Sequence, residues 1–140
     1  MTTDTDSSPT ELGPGVLSLS WVENVALLAW LNRPTAVVVE DMVRTFVERR
    51  KRYPGGMSIV HIGQMSNALI DAETREAFRR TTAELGDYLV AVAFVARGGG
   101  FMASTLRSLV TGVMLVVRST APYRFHEHAV EVLTWLPEVH

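Results

Sequence analysis

The chain has 140 residues, of which 47% are hydrophobic and 20% charged, the length and composition of one globular domain and not of a disordered chain. A formal net charge of -2 excludes the overall basic field of a nucleic-acid binder. The absence of cysteine excludes disulfides, thiolate metal sites and cysteine nucleophiles.

Residues 1–14 combine Thr, Asp, Ser, Pro and Gly and read as a flexible tail, with residues 15–140 as a single domain. The tail has neither a basic start nor an apolar stretch, so no signal peptide is expected. The most apolar run, Leu109 to Val117, is far shorter than the ~20 residues of a spanning helix and is flanked by Arg107 and Arg118. A cytoplasmic protein without a membrane span is the simplest expectation.

VLSLSWV alternates apolar and polar residues as a strand does. Glu23-Asn24 reads as a hairpin turn, and NVALLAWLN as a strand with both faces covered. Pro34 and Thr35 then open a helix, Thr35 as its N-cap. Val39, Met42, Val43, Phe46 and Val47 fall on one helical face, and Pro54-Gly55-Gly56 ends the helix. MSIVHIG is a short strand. Asp71 caps a second helix with Ala77, Phe78, Thr81 and Leu85 inward, and Gly86 stops it. YLVAVAFVA is the most strand-like run. The segment after the glycines, GFMASTLRSLVTGVMLVV, has helical periodicity. YRF reads as a brief strand, and HEHAVEVLTWL as a closing helix with His126 and His128 at its start.

The order is β-β-α-β-α-β-α-β-α. Alternating strands and helices predict right-handed crossovers and an α/β fold with a mostly parallel sheet, and the opening hairpin adds an antiparallel edge.

The hairpin followed by Pro34-Thr35 and a long helix, the passage from MSIVHIG through a loop to Asp71, and the ending FHEHAVEVLTWL together resemble the STAS superfamily, in its SpoIIAA-like branch of small bacterial proteins. The resemblance covers nearly all the chain after the tail. It implies a non-enzymatic module of bacterial regulation working through protein-protein contacts. The likeness of that branch to lipid-transfer domains implies a second reading, a carrier of a small apolar ligand. The chain departs from the family in one loop. Where anti-sigma-factor antagonists carry D-[ST]-[ST]-G with its phosphorylated serine, this chain reads IGQMSNALID, and Ser66 is better read as a loop or cap residue.

Gly98, Gly100 and Ala103 fit the spacing G-x-G-x-x-[GA] of a dinucleotide fingerprint. That fingerprint belongs in a first βα unit with an acid about twenty residues on. Here it falls in the third crossover, and the next acid is Glu127. A tight β-to-α connection is the better reading, and no cofactor is expected.

His126 and His128 at a helix start do not share a face, so no metal site is expected there. The run Arg49 to Arg52 suits the negative end of a helix. No catalytic motif stands out. His61, near the C-terminal edge of the sheet where α/β proteins bind ligands, is a weak candidate site with Ser66 and Arg97. An enzyme using His61 with Ser66 or Asp71 is the remaining alternative.

The helix expected over residues 100–117 is more apolar than one buried stripe requires. Phe101, Met102, Leu106, Val110, Val113, Met114 and Val117 form the candidate interaction surface. Self-association as a homodimer, or an apolar pocket between this helix and the sheet, would use it.

Overall fold

In the computed structural model, which describes residues 9–64, 70–97, 107–108 and 121–126, the chain forms a six-stranded α/β sheet with two helices on one face. The strands are β1 (Thr10–Leu12), β2 (Leu17–Val22), β3 (Val25–Trp30), β4 (Met57–Gln64), β5 (Leu89–Arg97) and β6 (Tyr123–His126). The helices are α1 (Ala36–Arg52) and α2 (Ala72–Leu85), and a 3-10 turn over Gly86–Tyr88 leads into β5. The spatial order is β1-β2-β3-β4-β5-β6, the order of the sequence. β1, β2 and β3 pair antiparallel, and β3 to β6 are parallel.

Two expectations need correction. Thr10–Leu12 is a strand paired with Leu17–Leu19, inside the stretch read as a tail. Its three residues are too few to give an alternation. His126 ends β6, one residue beyond the strand read from the sequence, and is a strand residue. The expected start of the first helix holds: Thr35 Oγ1 accepts from Val38 N at 3.3 Å, and α1 begins at Ala36.

Alternation along the strands sorts two cores. Leu17, Leu19, Ala26, Leu28, Met57, Ile59 and Val92 face α1 and α2, whose Val39, Met42, Phe46, Ala77 and Leu85 close over them. Phe46, fully buried, meets the Trp21 ring edge-on at 5.8 Å. Val60, Ala91, Ala93 and Val95 form a smaller core on the other face. Among the described residues no helix is long and apolar enough to cross a membrane.

Candidate functional site

A parallel sheet binds ligands at the C-terminal ends of its strands, most often where the strand order reverses and a crevice opens. Among the described strands the order does not reverse. The C-terminal halves of β3 to β6 instead carry a row of rings. His61, Phe94 and Phe125 share one register across β4, β5 and β6. His61 and Phe94 lie 4.9 Å apart with planes at 8°, and Phe94 and Phe125 lie 5.0 Å apart at 18°. Trp30, at the end of β3, extends the row to 6.3 Å from His61 at 13°, and Phe78 of α2 stands edge-on to both. At the far end the Arg107 guanidinium lies 5.4 Å from the Phe125 ring.

Trp30 is opposite Gly63, and a Cβ there would lie 3.3 Å from Trp30 Cβ. The missing side chain gives the indole room to lean across β4. Trp30 Nε1 donates to His61 Nδ1 at 3.0 Å, which places the proton of the neutral imidazole on Nε2. Burial among the rings lowers the His61 pKa to about 4, so the side chain is neutral at pH 7. His61 itself is half-buried. The row is therefore an apolar array of rings with one neutral imidazole at its centre.

The other candidates are not assembled with it. The Asp71 carboxylate accepts from Thr74 N at 2.7 Å as the cap of α2. Hydrogen bonds from Thr74 hold its pKa below the ordinary carboxylate value. Arg97 ends β5, its backbone in register with Gln64. Ser66 and the surface read at Phe101, Met102, Leu106, Val110, Val113, Met114 and Val117 lie outside the described residues, as do Gly98, Gly100, Ala103 and His128. No group of three or more acidic or histidine side chains able to hold a metal occurs among the described residues.

Sequence reasoning found His61 but missed Trp30, Phe78, Phe94 and Phe125 around it. It also missed a second cluster where the parallel strands begin. Arg49, only 8% exposed, has its guanidinium 4.3 Å from the Trp21 ring and 4.4 Å from the Tyr53 ring, and its Nη2 donates to Glu23 O. Beside it, Asn24 Nδ2 donates to Tyr88 Oη at 3.1 Å, and Tyr88 Oη donates to Tyr53 O at 2.5 Å. A planar cation between two rings is a favourable burial for Arg and a poor one for Lys. Comparison with family models, with curated proteins and with solved structures returned no match in any of the three.

Proposed function

We propose that the chain is a non-enzymatic SpoIIAA/STAS-like module of the bacterial cytoplasm, acting in regulation through protein-protein contacts. One observation carries the reading: the order of the described strands runs without reversal, so the C-terminal end of the sheet is a continuous ring-filled surface and not a split crevice. The groups that could have served catalysis there have structural partners. His61 Nδ1 is occupied by Trp30, and Asp71 caps α2.

The second reading, a carrier of a small apolar ligand, draws on the half-buried rings around His61. Native mass spectrometry of protein purified from its own cells separates the two. A complex with protein, either a second copy or another chain, supports the first. A small-molecule adduct lost on denaturation supports the second. A bare monomer under gentle conditions and at cellular concentration overturns both.

A further inference from the structure

We draw no further inference here: the strongest candidate, the row of rings that Trp30, His61, Phe94 and Phe125 form at the C-terminal ends of β3 to β6, belongs to the site already described, and nothing in the structure shows what covers it.

Discussion

Where β3, β4 and β5 begin, the interior is polar and tied down: Arg49 lies between Trp21 and Tyr53, and Tyr88 Oη links Asn24 to the end of α1. Where they end, the same face of the sheet carries stacked rings around one neutral histidine. The first cluster joins the hairpin, α1 and the entry to β5, segments far apart in the chain, through directional bonds that specify one arrangement. The second joins neighbouring strands by ring contact around that histidine. The difference teaches that one end is fastened by directional bonds and the other by ring contact alone.

The sharpest way to break that contrast is at Arg49. Arg49→Ala removes a buried cation from between two rings and leaves Glu23 O without its donor. A loss of about 3 kcal/mol is expected by urea denaturation, from the charge-assisted hydrogen bond and the two ring contacts together. Arg49→Lys recovers little of it, because an ammonium cannot lie flat between rings. If Arg49→Ala costs no more than a surface substitution, the fastening role is wrong. Tyr88→Phe is a smaller cut in the same cluster. It deletes the hydroxyl that accepts from Asn24 Nδ2 and donates to Tyr53 O, at a cost of about 1–2 kcal/mol by the same measurement.

His61 tests the other end. Its ordinary pKa is 6.5 and its value in the fold about 4, so between these values the unfolded chain binds more protons than the folded one. Stability must therefore fall as pH drops from about 6.5 to about 4, and level off below. His61→Phe keeps a ring beside Phe94 but cannot protonate or accept from Trp30 Nε1. The variant is expected to lose about 1 kcal/mol at neutral pH and to lack that part of the acid slope. An unchanged slope across this window means the imidazole is not held neutral by the rings.

What was legible in the sequence was local. Thr35 and Asp71 cap their helices by contacts three residues away, and Glu23-Asn24 turns between paired neighbours, so the letters at those places suffice. The α/β class and the mostly parallel sheet followed from the alternation of periods. The ring row depends on register between strands more than thirty residues apart, which sets Phe94 opposite His61 and Phe125 opposite Phe94. Within YLVAVAFVA, Phe94 is only one apolar letter among nine. Arg49 misled for a similar reason. At a helix end a cation suits the dipole and needs no other explanation, and only the fold brings Trp21 to it.

The smallest effect concerns the turn that the polar cluster grips. Glu23 has φ of 51°, and Asn24, the other central residue, is not in the positive region. This is the φ pattern of a type II′ hairpin turn, which places glycine first. A glutamate there carries about 1–2 kcal/mol of backbone strain. Glu23→Gly relieves it, and the looser unfolded chain takes back part of the gain, about 0.5–1 kcal/mol. The net expectation is a stabilisation of about 0.5 kcal/mol, read as a rise in the urea midpoint at constant slope. The bond from Arg49 goes to the backbone oxygen of residue 23 and survives the change. In an Arg49→Ala background, where nothing grips that oxygen, the turn is freer to relax and the gain should shrink. An equal gain in both backgrounds would mean that the turn and the cluster are independent, and that the arginine fastens α1 to Trp21 alone.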